Sequence, residues 1–74
     1  MKEFVEYVAK SLVEDPSAVE VTSLDDGRLL QLRVDDADRG KVIGKRGRTA
    51  HAIRTLLVAV SEDENNPVSL DIVD

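Results

Sequence analysis

The sequence predicts a two-layer α+β domain in which three helices cover one face of a three-stranded mixed sheet, in the order α-β-β-α-α-β. Three observations carry this. Apolar residues recur at helical spacing over residues 2–14 and 48–60. Strict apolar/polar alternation marks three short segments, at Val19–Val21, Leu30–Val34 and Val68–Ile72. The first two segments are joined by a tight turn, whereas the third is reached through two helices. A chain of 74 residues allows one small domain, expected to span residues 1–74. Domains near this size bury only ~60% of the surface of the unfolded chain, so the core must draw on nearly every apolar side chain. The absence of cysteine rules out disulfides and thiolate ligands.

In the first helix, Phe4, Val8 and Leu12 recur every fourth residue with Val5 beside them, while Lys2, Glu3, Glu6, Lys10 and Glu14 point elsewhere. Asp15-Pro16 ends it, because a residue before proline is pushed out of helical conformation. Val19 and Val21 alternate with Glu20 and Thr22, Asp25-Asp26-Gly27 signals a turn, and Leu30, Leu32 and Val34 alternate with Gln31, Arg33 and Asp35. So short a connection makes an antiparallel hairpin. Residues 36–43 follow as a short helix with Asp35 or Asp36 as N-cap and Ala37, Val42 and Ile43 as its apolar positions. Gly44 to Gly47 interrupts the helix, and a longer one runs from Arg48 to about Val60. Ser61 to Pro67 is a polar loop, and Val68, Leu70 and Ile72 alternate with Ser69 and Asp71 in a last strand. Residues 28–35 belong at the centre of the sheet, antiparallel to 19–25 and parallel to 68–73.

Net charge is −5, which by itself disfavours a polyanionic ligand. The distribution points the other way. Residues 39–54 contain Arg39, Lys41, Lys45, Arg46, Arg48 and Arg54 and no acid, a local charge of +6. The other 58 residues set Lys2, Lys10, Arg28 and Arg33 against all 15 acids, a charge of −11. Such a molecule attracts polyanions at one patch only. Charge alone leaves a basic cluster kept for solubility equally open. Residues 1–14 carry acids throughout and resemble no secretory signal, and no stretch approaches a membrane span, so the cytoplasm is the expected location.

The segment from Gly40 to Thr49 (Gly-Lys-Val-Ile-Gly-Lys-Arg-Gly-Arg-Thr) carries the most information. Two glycines three apart join two helices, with two cations between them and a third after. Glycine admits conformations closed to other residues and lets another backbone approach. A helix opening at Arg48 turns its unpaired N–H groups and positive dipole end toward the bend, which favours a phosphate there. Lys45, Arg46 and Arg48 add positive charge. Gly44 as a mere helix C-cap and Gly47 as a turn residue is the competing reading of the pair alone.

Val42-Ile43-Gly44-Lys45-Arg46-Gly47 resembles the V-I-G-x-x-G signature of K-homology (KH) domains, and the inferred element order resembles their bacterial, type II arrangement. The resemblance covers essentially the whole chain and is nearest to small single-domain proteins of the KhpA type. It implies single-stranded RNA binding, with the loop holding the backbone of about four unpaired nucleotides. It implies bases lying in an apolar-floored groove between the loop's helices and the sheet. Carried onto this sequence, the loop is Gly44, Lys45, Arg46 and Gly47, with Ile43, Arg48 and Thr49 as groove candidates and Lys41 and Arg54 as further contributors of charge. The resemblance also implies a non-catalytic RNA chaperone or adaptor that forms homodimers, pairs with a larger KH-containing protein of the KhpB type, and is linked to cell elongation and shape.

Other chemistries find little support. The only aromatics, Phe4 and Tyr7, lie in the first helix, so no strand offers the stacking platform of other small RNA-binding folds. Gly40-Lys-Val-Ile-Gly44-Lys45 resembles a phosphate-binding P-loop, but the glycines are too close and Arg46 replaces the needed Ser/Thr. His51 is the single histidine, expected to face solvent or the groove edge, and no metal or other cofactor is expected. Asp35-Asp36-Ala37-Asp38 and Glu62-Asp63-Glu64 read as solvated caps and loops. No nucleophile has a base beside it, so an enzyme is not expected.

The last helix is apolar on more than one side. Ile53 and Leu57 suit the core, and Leu56 and Val60 form another stripe with Ala52 and Ala59 beside it. Either that stripe is buried under the first helix, or Ala52, Leu56 and Val60 form a dimer surface. The functional alternative to RNA binding is a protein-interaction module with a vestigial KH groove.

Overall fold

The computed structural model describes residues 1–60 and 68–73; the expected loop at 61–67, with its Glu62-Asp63-Glu64 run, lies outside the described residues. The elements are α1 (Lys2–Leu12), β1 (Glu20–Leu24), β2 (Leu29–Arg33), α2 (Arg39–Ile43), α3 (Arg48–Val60) and β3 (Ser69–Ile72), as the sequence predicts, with short 3₁₀ turns between several of them. The sheet order is β1-β2-β3. β1 pairs with β2 antiparallel, with Val21 opposite Leu32, and β2 pairs with β3 parallel, with Leu30 opposite Leu70.

Period-two alternation sends Val21, Leu30, Leu32, Val34 and Leu70 to the helix side, where they are buried, while Glu20, Thr22, Arg33, Ser69 and Asp71 stay exposed. From above, Val5 and Ala9 of α1, Val42 of α2 and Ile53 and Leu57 of α3 complete one core cluster. Leu32, Ala9, Val42 and Leu57 have no exposed surface.

Three expectations change. The buried face of α1 is centred on Val5 and Ala9; Phe4 and Val8 only flank the core, and Leu12 is largely exposed. Leu12 lies at the helix end, because Val13 is already extended ahead of Asp15-Pro16. The expected helix 36–43 is a 3₁₀ turn at Asp36–Asp38 followed by one α-helical stretch. Asp35 caps it by accepting a bond from the Ala37 N–H at 2.9 Å, and Ala37 itself is exposed. Finally, Asp38 is no solvated cap residue: it is buried, 2% exposed.

Asp38 joins the two ends of the helical layer. Its carboxylate accepts the Asp15 N–H at 3.1 Å, just past α1, and the Lys41 ammonium at 3.2 Å. Lys41 also reaches Glu14 at 3.3 Å. Burial pushes the Asp38 carboxyl up, but the Asp15 and Glu14 backbone bonds and Lys41 together outweigh it and leave it below the ordinary carboxylate range. Burial likewise pushes Lys41 down, and its bonds to Asp38 and Glu14 outweigh that and raise it.

Candidate nucleic-acid interface

Gly44, at the C-terminal end of α2, has φ 79° and ψ 168°, a combination essentially confined to glycine. A side chain there would also have no room, since a Cβ atom would lie 2.7 Å from the Thr49 backbone nitrogen and against the Thr49 side chain. Arg46 and Gly47 follow at φ 60° and 75°. At Gly47 the positive φ is the whole requirement, because a Cβ would meet open space. The sequence Gly-x-x-Gly is therefore dictated by backbone shape at both ends.

The bend uses some of its own amides. The Gly44 N–H bonds to the Gly40 carbonyl at 2.9 Å, the Gly47 N–H to the Gly44 carbonyl at 3.0 Å, and the Arg48 N–H to the Lys45 carbonyl. These three are thus taken, which narrows the expected row of unpaired donors and shifts the attraction for an anion toward the side chains. Lys45, Arg46 and Arg48 are exposed, and among the described residues no carboxylate pairs with any of them.

The rest of the basic segment divides. Arg39 pairs with Asp36, and Lys41 lies between Asp38 and Glu14, so both are tied to acids. Arg54 is exposed, but its Nε donates to the Leu70 carbonyl of β3 at 3.1 Å. This bond, invisible in the sequence because its partners are 16 residues apart, ties α3 to the sheet edge. Beside it lies a groove of about 400 Å³ lined by Arg54, Val58, Val68, Ser69 and Leu70. That volume falls within the ~300–1,000 Å³ usual for small-ligand sites.

Ile43, next to the bend, is 36% exposed, an apolar surface at the helix end where the sequence places a groove residue. Thr49 is half-buried against Gly44. His51 is exposed, and no group of three or more His, Cys, Asp or Glu side chains among the described residues could hold a metal ion. No helix among the described residues is long and apolar enough to cross a membrane.

Away from the groove, α3 exposes Ala52, Leu56 and Val60; Leu56 is 48% and Val60 51% exposed, so the stripe is not buried under α1. Leu56 and Val58 lie ~200° apart around the helix, on opposite flanks of the buried Ile53 and Leu57. The apolar stripe and the groove are separate surfaces.

The family model for the KhpA/KhpB KH domain matches residues 2–72. Curated relatives align end to end. A protein of Clostridium perfringens named RNA-binding protein KhpA is 47% identical, over 99% of this chain and all of its own length. A protein of the same name from Halalkalibacterium halodurans is 46% identical over the full length of both chains. One from Aquifex aeolicus is 42% identical over this whole chain and 96% of its own. No solved structure gives a significant match.

Proposed function

The chain belongs to the KhpA/KhpB family of KH domains, and from that premise we propose that it binds single-stranded RNA, without catalysis, as a chaperone or adaptor. The observation that carries this is the bend itself: Lys45 and Arg46 project from Gly44–Gly47 with no acidic partner among the described residues. A sugar-phosphate backbone supplies the missing anions. Arg48, Thr49 and Ile43 border the gripped strand, and Arg54 stands over the groove through which its bases pass. Lys41, already between two carboxylates, adds only to the general field.

Replacing Lys45 and Arg46 together with Asp is expected to abolish binding of short single-stranded RNAs in a filter or anisotropy assay, with an unchanged circular dichroism spectrum. Parent affinity should fall steeply as salt rises, because phosphate contacts release counterions. Undiminished binding by the double variant would end the proposal. The protein-interaction alternative, with a vestigial groove, leaves without a purpose two cations that have no acidic partner among the described residues.

The exposed stripe Ala52, Leu56 and Val60 supports a second component, a homodimer or a heterodimer with a KhpB-type partner. One clamp for about four nucleotides binds weakly, and two joined clamps gain through effective concentration. A dimeric mass for the parent in sedimentation, and a monomeric one for Leu56→Asp, is the expected result. A monomeric parent would remove the homodimer.

A further inference from the structure

The backbone of β3 limits which bases the groove can accept. Ser69 donates its N–H to the Arg28 carbonyl at 2.7 Å and Val73 donates its N–H to the Leu32 carbonyl at 3.0 Å. Peptide groups alternate in direction along a strand, so residues 69, 71 and 73 address β2 while Leu70 and Ile72 face outward. β3 is an edge strand, and the outward groups of Leu70 open on the groove that Leu70 lines. An edge strand ordinarily offers a base both a donor and an acceptor.

Here the acceptor is taken. Arg54 Nε occupies the Leu70 carbonyl. A carbonyl oxygen can accept twice, but a second approach passes beside a guanidinium whose own N–H groups repel an incoming donor. What remains at this point is the Leu70 N–H and the four hydrogens on the two Nη atoms, which make no hydrogen bond or ion pair with described residues. The bond through Nε also fixes the plane of the guanidinium and leaves its Nη groups as a fork. That fork matches two adjacent acceptors. Guanine presents such a pair, O6 and N7; adenine keeps N7 but puts an amino donor where O6 would be.

Resting on the RNA-binding reading, we propose that Arg54 is a specificity-determining residue that selects guanine over adenine at one position of the bound strand, by donating to O6 and N7 while it blocks the Leu70 carbonyl. The phosphate clamp and this selection are separable: Lys45 and Arg46 set how tightly any strand is held, and Arg54 sets which base sits beside β3.

The test is fluorescence anisotropy with short oligouridines carrying a single guanine, adenine or inosine at each position in turn. Inosine keeps O6 and N7 but lacks the 2-amino group, so it reports on that edge alone. At one position guanine and inosine are expected to bind about tenfold tighter than adenine, within the usual worth of a bidentate base contact. Arg54→Lys, which keeps the charge but not the fork, should reduce that ratio to about twofold or less. Arg54→Met should narrow it further by returning the Leu70 carbonyl to amino-bearing bases. Lys45→Ala should weaken the guanine and adenine strands in parallel, leaving the ratio unchanged. A parent that binds every strand but distinguishes guanine from adenine nowhere overturns the selection and leaves the clamp standing, as does an Arg54→Lys variant with undiminished preference. A parent that binds none of the strands removes the clamp and the selection with it.

Discussion

Two turns in this molecule use the same backbone device. Asp25-Asp26-Gly27 reverses the chain between β1 and β2 with three successive positive φ angles, and Gly44-Lys45-Arg46-Gly47 joins α2 to α3 with three in four residues. The acidic turn carries Asp25 and Asp26 at φ 52° and 54°, the basic turn carries Arg46 at 60°, and each closes on a glycine. Their charges are opposite, and so are their surroundings. The acidic turn stands at the end of a hairpin, and a Cβ on Gly27 would meet only Ser23 Oγ at 3.8 Å. The basic turn is wedged against Thr49 and leads into α3, whose Arg54 and Val58 line a groove further along the helix. Left-handed geometry alone therefore marks a place where the chain must bend; what surrounds the bend gives it a use.

The sharpest way to break this comparison is at the glycines. Gly44→Ala faces both a conformation closed to alanine and a collision with Thr49, and is expected to destabilise the fold by about 3 kcal/mol. RNA binding should be lost with it. Gly27→Ala faces conformation alone and should cost about 1 kcal/mol, with RNA affinity untouched. Denaturant titration of the two variants gives the difference, and equal costs would mean that the Thr49 contact contributes nothing.

Acid should separate the turns next. Buried Asp38 ties α2, which leads into the basic turn, to the chain just past α1, and among the described residues no buried carboxylate lies in the hairpin turn. Because the folded-state pKa of Asp38 is depressed, its contribution is present above the unfolded value of about 4 and is lost as pH falls through the lower folded value. Lys41 is raised, so its contribution holds below about pH 10.4 and disappears as pH climbs through the folded value. Thermal melts of Asp38→Asn should start from a lower midpoint at neutral pH and fall less on acidification than those of the parent. Parallel curves for the two proteins would dismiss Asp38 as the anchor.

The smallest effects compare like with like. Arg46→Gly and Asp26→Gly each relieve a left-handed residue but add backbone freedom to the unfolded chain, so both should change stability by less than about 1 kcal/mol. Only Arg46→Gly should weaken RNA binding, by the loss of one phosphate contact.

How much of this was legible follows from the range of each signal. Strand alternation is a local pattern, and Val21, Leu30, Leu32, Val34 and Leu70 fell on the buried face as read; so did the parallel placement of β3, which the intervening helices require. The Gly44–Gly47 bend was legible because its backbone demands are written in residue types. The pattern misplaces the buried face of α1 because Ala9 carries little apolar weight, yet its small side chain is fully buried. Asp38 read as one more solvated acid because its partner, the Asp15 N–H, is 23 residues away. Charge alone singles out Arg54 in the sequence, and its bond to Leu70, 16 residues away, exists only in the folded chain.

The parallel pairing of β2 with β3 has a consequence for how the molecule comes into being. Synthesis delivers Gly44–Gly47 some twenty residues before Ser69–Ile72, so both helices flanking the bend are made before the strand that lines the groove beside Arg54. Until β3 arrives, β2 has one bare edge and Arg54 lacks the carbonyl that orients it. A chain interrupted before Val68 would lack Leu70 both as a core side chain and as the partner of Arg54, so neither the packing nor the guanidinium's orientation is complete until that last strand has paired.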